Sequence, residues 1–377
     1  GSARLVGGVV RDGLLDVPCS DIDIATDLLP EQVTKILGKH GIKIIPTGIK
    51  FGTVTAIIKN ESFEITTLRK DIDCDGRHAV VEYSDDFAED AARRDFTINA
   101  LSYCPIQEKI FDYFDGLEDL QAKKVVFIGD AAKRVQEDYL RILRFFRFSA
   151  RYAKEIDQDG LDICTKFKAN LRGLSKERIK SEFDGLILSQ NASQMLTIMS
   201  DHGILQEALS LDKYDLELHQ LAISMSEQFN TQSSLALIYS VLFRYSQDIS
   251  LPHLINQKFS KHQARIILKM LSLIQLEKES DLLFALKNIW LEEKDYVQYF
   301  VFSALLLENN RSICELYSEL VSKEIPSFPV DGSDILSLGY QGKEVAVILN
   351  NLRKKWIESD FATKKSSLLN KVVKNEE

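Results

Sequence analysis

Across the first 125 residues, short runs that alternate apolar and polar side chains exchange with runs of helical period. "RLVGG" and "SDIDIAT" alternate as strands do, and "PEQVTKILGKHG" predicts a helix with Pro30 in its first turn and Gly38 or Gly41 near its end. "TVTAII", a turn at Asn60-Glu61 and "FEITTL" predict a hairpin. Lys70 to Glu89, "KDIDCDGRHAVVEYSDDFAE", is polar and poor in period, and reads as a long mobile loop. "AEDAARRDFTINALSY" returns to helical spacing, and "KIFDYFDGLEDL" gives a strand and a turn. Beyond about Phe127 the strand signals fade. "QEDYLRILRFFRFSARY", "SSLALIYSVLFRY", "SKHQARIILKML" and "DLLFALKNIWL" repeat apolar residues at three and four, as amphipathic helices do. The pattern predicts an α/β head, a mixed sheet with helices, followed by an all-α remainder.

Composition narrows this picture. With 377 residues, 45% of them apolar, the chain is long enough for two or three domains. No run of eighteen apolar residues occurs, so no membrane is expected as a partner. No basic segment leads into an apolar one as in a secretory leader, and Gly1-Ser2 reads as an expression remnant that leaves room for natural sequence upstream. Five scattered cysteines without a C-x-x-C pair, and six histidines without H-E-x-x-H, indicate neither a disulfide framework nor a zinc site. A reduced, cytoplasmic setting fits them best. The net charge of -9 argues against nonspecific coating of nucleic acid. Between Ala131 and Gln190, however, thirteen Lys or Arg face nine Asp or Glu, a basic belt for a polyanion.

The chemistry starts at "SDIDIAT". In a strand Asp21 and Asp23 point one way while Ile22 and Ile24 point the other. Two like charges side by side repel, and a divalent cation between them relieves the repulsion. A D-x-D alone is commoner in solvated turns and helix caps, so its neighbours decide. Upstream, "GGVVRD" places Gly8 at a turn whose backbone N–H groups can approach a phosphate, with Arg11 for a charge-assisted contact; a plain tight turn is the competing reading. Glu64 in "FEITTLR" joins the aspartates if its strand neighbours theirs, and is otherwise an exposed strand glutamate. Together these describe two-metal phosphoryl transfer, with ions roughly 3.5 to 4 Å apart, and Mg2+ suits such oxygen ligands. In "RRDFTINA", Asp95 and Asn99 fall four apart on a helical face. They either hold a ribose hydroxyl, with Arg94 on phosphate, or cap and brace the helix.

"QEDYLRILRFFRFSAR" is the densest signal. Arg141, Arg144, Arg147 and Arg151 share one helix face, with only Glu137, Asp138 and Glu155 near in sequence to neutralise them. Asp138 and Arg141, three apart, present a carboxylate beside a guanidinium. Cytosine and adenine each set an amino donor beside an acceptor, whereas uracil and guanine set a carbonyl where the amino group would be. Such a pair selects C and A over U and G without a nucleic-acid template, because an unpaired buried group is costly.

"LVGGVVRD" with "SDIDIAT", "FEITTLR", "RRDFTINAL", "DYFDGLEDL", "EDYLRILRFFRF" and "LSKERIKSEF" resemble, in order and spacing, the motifs of bacterial class II CCA-adding enzymes, tRNA nucleotidyltransferases that share an ancestor with bacterial poly(A) polymerases. The resemblance covers about Arg4 to Leu205. It implies a nucleotidyltransferase head over 1–126, a helical neck over 127–205 for nucleotide recognition and RNA binding, and a helical body and tail over 206–377 that bind tRNA. It further implies Mg2+ dependence and template-independent addition of C, C and A to the tRNA 3′ end from CTP and ATP, releasing pyrophosphate. By position, Asp21 and Asp23 resemble the metal ligands, with Glu64 assisting, and Gly8, Arg11 and Arg94 the nucleotide contacts. Asp138 and Arg141 resemble the base-reading pair, Arg144 and Arg147 complete the pocket, and Glu177, Arg178 and Glu182 brace it. The helix that usually precedes "LVGG" is absent, as is the H-x-x-x-H-D cluster of a phosphohydrolase domain. No protein partner is predicted.

Three rivals stand beside this expectation. A poly(A) polymerase tends to carry a "GRRF"-like stretch where this chain has "PTGIKFGTVTA". A partial, CC- or A-adding enzyme is the second; CC-adding relatives lack part of the loop that "RKDIDCDGRHAVVE" supplies here at full length. A catalytically inactive RNA-binding protein is the third, and intact Asp21, Asp23, Glu64, Arg94, Asp138 and Arg141 argue against it.

Overall fold

The computed structural model describes residues 1–19, 21–49, 52–74, 79–189, 191–211, 215–246, 249–293, 296–307 and 310–373. The chain forms two compact units, Gly1–Tyr214 and Asp215–Glu377.

The first unit begins with β1 (Ala3–Val6), α1 (Gly8–Leu14), β2 (Ile22–Thr26), α2 (Pro30–Lys39), β3 (Lys43–Gly48), β4 (Thr53–Ile58) and β5 (Glu61–Thr67). The expected β4/β5 hairpin is present, with its turn one residue earlier than predicted: Lys59 and Asn60 take φ of 51° and 69°, the pair of positive values a two-residue hairpin needs. There follow β6 (Arg69–Cys74), β7 (Ala79–Tyr83), α3 (Phe87–Ala92), β8 (Ser102–Cys104), β9 (Lys109–Phe111) and α4 (Gly116–Gln121). Seven of the described strands make one mixed sheet in the order β3-β4-β5-β2-β1-β8-β9, in which only the β2/β5 pair is parallel. Val6, Ala25, Leu68 and Phe87 close a core over its centre.

Two local expectations change. The stretch read as a mobile loop contains β6 and β7 paired antiparallel, with Lys70 and Glu82 3.0 Å apart across them; residues 75–78 lie outside the described residues. A two-stranded ribbon needs no buried face, so it leaves no hydrophobic period to read. The run "AEDAARRDFTINALSY" is not one helix: α3 stops at Ala92 and a single 3-10 turn spans Thr97–Asn99. Between them Phe96 is extended and fully buried, its ring 4.9 Å from that of Phe127 and 5.4 Å from that of Phe148. Burying that ring turns the chain out of the helix.

The unit continues with α5 (Ala131–Glu137), α6 (Leu140–Tyr152), α7 (Gln158–Phe167), a 3-10 turn at Lys168–Gly173, α8 (Lys176–Ile187), α9 (Ala192–Asp201) and α10 (Ile204–Leu209). The predicted run through "QEDYLRILRFF" breaks at Asp138, whose φ of -156° is extended. Helix α6 buries Ile142, Leu143, Phe145 and Phe146 completely. Helix α10 packs on α9 and the Lys168–Gly173 turn, so the compact unit continues past residue 205 to 214.

The second unit holds α11 (Leu216–Gln228), α12 (Leu235–Leu242), α13 (Leu251–Asn256), α14 (Lys261–Leu273), α15 (Glu279–Glu292), α16 (Tyr296–Ala304), α17 (Arg311–Val321), α18 (Gly332–Ser337), α19 (Lys343–Glu358) and α20 (Lys365–Val373). Helices α14 and α15 match their amphipathic patterns. Helix α12 does not: Ala236 to Leu242 are buried on every side, which makes it the centre of the bundle rather than a half-exposed helix. Trp356 anchors another core of this unit, meeting Phe328 at a tilt and Phe361 edge to face, together with Val330, Ile335 and Leu352.

His219 of α11 is fully buried, and burial lowers its pKa to about 4. The unfolded chain therefore binds a proton near pH 6.5 that the folded chain takes up only near 4. Stability from this group is whole above pH 6.5 and falls as pH drops toward 4, by about 3 kcal/mol in all. Urea unfolding from pH 7.5 to 4 should show that loss in the wild type and a smaller one in His219→Leu.

Candidate active site

Strand β2 runs parallel to β5 with Asp23 opposite Glu64, so the expected neighbourhood of the two carboxylates is present and both side chains leave the same face. Asp21 immediately precedes β2. Burial pushes the Asp23 carboxyl up; Arg94 opposes the shift and the Asp21 charge adds to it. That is the electrostatics of a carboxylate pair short of positive charge. Glu64 is exposed, and among the described residues no three His, Cys, Asp or Glu side chains meet in a metal-holding group. Asp21 and Asp23 are the carboxylates that could hold a metal here, and two such oxygen donors fit Mg2+, an ion commonly held by one or two carboxylates with water and substrate phosphate completing its shell.

Gly7 joins β1 to α1 at φ +70°, and a Cβ there would lie 2.7 Å from Arg94 Nη1. Only glycine allows both the backbone and the close arginine. Arg94 donates to the Asn99 carbonyl at 3.3 Å and pairs with Asp90 at 3.2 Å, while Arg93 pairs with Asp90 at 2.9 Å. Burial works to raise the Asp90 pKa, but the two arginines outweigh it and hold the carboxyl below its ordinary range.

Asp95 and Asn99 meet without a shared helix. The 3-10 turn returns Asn99 so that its amide donates to Asp95 Oδ1 at 3.0 Å, and Phe96 N–H donates to the same oxygen. Arg144 donates to Asp95 Oδ2 at 2.6 Å, and Asn99 Oδ1 accepts from Arg11. Burial of Asp95 is overcome by Arg144, Asn99 and Arg141, and its pKa is lowered. Of the two readings the sequence left open, these bonds are those of a brace.

Asp138 sits at the break between α5 and α6. One carboxylate oxygen accepts the Leu140 N–H at 3.1 Å, and the other accepts Arg178 of α8 at 2.6 Å. Arg141 donates to Glu137, to the Arg134 carbonyl at 2.9 Å and to the Arg93 carbonyl at 3.1 Å. The guanidinium bonded to Asp138 is therefore Arg178, with Arg141 tied beside it. The arginine face is not short of acids, as local sequence suggested: Arg144 reaches Asp95, Arg147 reaches Glu182 at 2.8 Å, and Arg151 reaches Asp12 at 3.3 Å.

These groups enclose a cavity of about 450 Å³ bordered by Gly8, Arg11, Asp23, Arg94, Asp95, Asn99, Asp138, Arg141 and Arg144. Asp21, Glu64 and Arg147, also expected at the site, do not border it. Sequence reasoning missed Arg93 as a lining residue and gave Arg178 only a bracing role, although both border the cavity. The doubled arginine of "RRD" was the available signal for the first. For the second there was none, since α8 lies forty residues beyond Asp138.

A sequence family described as the poly A polymerase head domain matches residues 3–126, and one described as a probable RNA and SrmB-binding site of polymerase A matches residues 155–211. The structure of the Bacillus stearothermophilus CCA-adding enzyme in complex with CTP shares the fold, with a TM-score of 0.77 at 24% identity over 100% of this chain and 93% of that one. The Lactococcus lactis CCA-adding enzyme is 30% identical over 99% of this chain and 93% of its own length. The mitochondrial CCA tRNA nucleotidyltransferase 1 of Mus musculus is 34% identical over 98% of this chain and 86% of its own length. By that identity along nearly its whole length, the chain belongs to the CCA-adding enzymes, tRNA nucleotidyltransferases of the poly(A) polymerase superfamily.

Proposed function

We propose that this chain adds C, C and A to the 3′ end of tRNA from CTP and ATP, choosing the bases itself and releasing pyrophosphate. One observation carries the reading: Asp23 of β2 and Asp138 at the α5/α6 break border a single cavity. The first suits transfer of a nucleotidyl group, the second recognition of its base.

In this reading the triphosphate lies against the Gly7-Gly8 turn, with Arg94 and Arg11 for its charges. Asp21 and Asp23 hold Mg2+, with Glu64 assisting from the neighbouring strand; enzymes of this superfamily generally depend on a divalent metal. When bound, the metal favours ionisation of the attacking tRNA 3′-hydroxyl and neutralises the departing pyrophosphate. Asp138 accepts from the amino group of cytosine or adenine, and Arg141 and Arg178 offer donors beside it. Arg144 and Arg147 complete the nucleotide pocket, while Asp95 and Asn99 keep the arginines in place. Residues 1–126 serve as the catalytic head, 127–205 as the neck that reads the nucleotide, and 206–377 as a body and tail for tRNA. Neither a poly(A) polymerase, a partial adder nor an inactive RNA-binding protein is favoured by any feature of the site. Among the described residues no helix is long and apolar enough to cross a membrane, and Cys19, Cys104, Cys164 and Cys314 are free thiols; a cytoplasmic setting is part of this proposal.

Extension of tRNA transcripts ending before CCA, after C and after CC should stop after two C and one A, and chelation of Mg2+ should abolish it. Long A tails would replace the reading by poly(A) synthesis. Asp21→Ala or Asp23→Ala should slow addition by roughly 10³-fold or more while filter binding of tRNA persists, because several kcal/mol of transition-state charge stabilisation are removed. Asp138→Ala should reduce the preference for CTP over UTP by roughly 100-fold, measured as the ratio of kcat/KM values.

A further inference from the structure

Asp12 follows Arg11 in α1, yet it does not border the cavity. Its side chain is 7% exposed and gathers donors from α1 and from the last turn of α6. Oδ1 accepts Arg11 Nε–H at 2.8 Å and the Tyr152 hydroxyl at 2.8 Å and forms an ion pair with Arg11 Nη2 at 2.8 Å, and Oδ2 accepts Arg151 Nη2 at 3.3 Å. Tyr152 also lies under the arginine: the guanidinium carbon is 4.2 Å from its ring centroid and 5.2 Å from that of Phe148. Asn99 takes Arg11 Nη1 from the remaining side.

The guanidinium plane is thereby fixed by a carboxylate, an amide and two aromatic faces. Of its five N–H groups, the one on Nε and one on Nη1 are hydrogen-bonded and Nη2 faces Asp12, which leaves N–H groups on both terminal nitrogens of a residue that borders the cavity. Burial raises the Tyr152 pKa to about 12, so the hydroxyl stays a donor throughout the physiological range. Apolar side chains would join α1 to α6 at lower desolvation cost than a buried carboxylate. What the polar joint adds is orientation of one arginine.

We propose that Asp12, with Tyr152 and Arg151, is a positioning residue that presents Arg11 to the phosphates of the incoming nucleotide and couples that contact to α6. Tyr152 ends that helix, and Asp138 and Arg141 stand at its other end, about 18 Å away along the axis. The phosphate contact and the base-reading carboxylate are thus registered on one rigid element. This inference rests on the nucleotide-adding reading above.

The test uses the full chain, with steady-state addition of CTP and ATP to tRNA, equilibrium binding of CTP, and thermal unfolding. Tyr152→Phe should raise KM for both nucleotides by about tenfold, the worth of a hydrogen bond to a charged group, with kcat changed less than about threefold and Tm unchanged within about two degrees. Asp12→Asn should raise KM further. In an Arg11→Ala background Tyr152→Phe should add nothing, because its effect passes through Arg11. A Tyr152→Phe effect that persists in full without Arg11, a fall in Tm with KM unchanged, or wild-type KM in Tyr152→Phe would each overturn the proposal. Wild-type protein that neither binds CTP nor extends tRNA would instead remove the nucleotide-adding reading, and this inference with it.

Discussion

Six guanidinium groups, those of Arg11, Arg93, Arg94, Arg141, Arg144 and Arg178, border one cavity, and their mutual repulsion is the constraint around which the first unit is arranged. Each has a carboxylate behind it. Asp12 serves Arg11, Asp90 serves Arg93 and Arg94, Glu137 serves Arg141, Asp95 and Glu182 serve Arg144, and Asp138 serves Arg178. The acids come from α1, α3, the segment before the 3-10 turn, the α5/α6 junction and α8. Neutralising the cavity therefore also ties α6 to Asp95 and to α8, and α8 to the α5/α6 junction.

Such a network is a poor source of stability. Buried charges lose their hydration, and pairing them recovers little beyond that loss. The Glu182 carboxyl shows the balance: burial pushes its pKa up, and Arg147 and Arg144 do not bring it back to its ordinary value. The stabilising work falls to the aromatic layer beneath. Phe96, Phe127, Phe145 and Phe148 interlock with ring centroids 4.9 to 6.3 Å apart, and removing one such ring typically costs about 3 to 5 kcal/mol. Phe148 belongs to both layers, since Arg144 and Arg147 lie over it at 5.2 and 4.8 Å. Charge supplies the chemistry and apolar area holds it in place.

How much of this was legible follows from which interactions are local. Period-two alternation revealed β2, β4 and β5, and the parity of Asp21, Asp23 and Glu64 followed from it, because a strand's faces are fixed by counting. The pairing of Asp95 with Asn99 was also expected, but through a helix that does not exist; a 3-10 turn driven by Phe96 gives the same meeting by another route. What sequence could not show were partners brought from a distance. Three of the four arginines of α6, Arg144, Arg147 and Arg151, read as short of acids because their partners Asp95, Glu182 and Asp12 lie on other elements. Helix α12 was read as amphipathic because its flanking polar residues mimic a solvent face that the bundle covers.

In the proposed function, the same logic lets base choice reside in protein side chains. A template strand discriminates because its donors and acceptors are held in place; a lone surface carboxylate would rotate to suit any base. Asp138 is denied that freedom. Its backbone is extended between two helices, one oxygen is pinned by the first N–H of α6, and the other is held by Arg178. A carboxylate so fixed accepts an amino group and meets a carbonyl with lone pair against lone pair. Displacing it to relieve that clash would disturb the start of α6 and, through Arg144, the brace at Asp95. In the proposed reading, the rejection of a wrong base is therefore as stiff as the charge network that the cavity's arginines require.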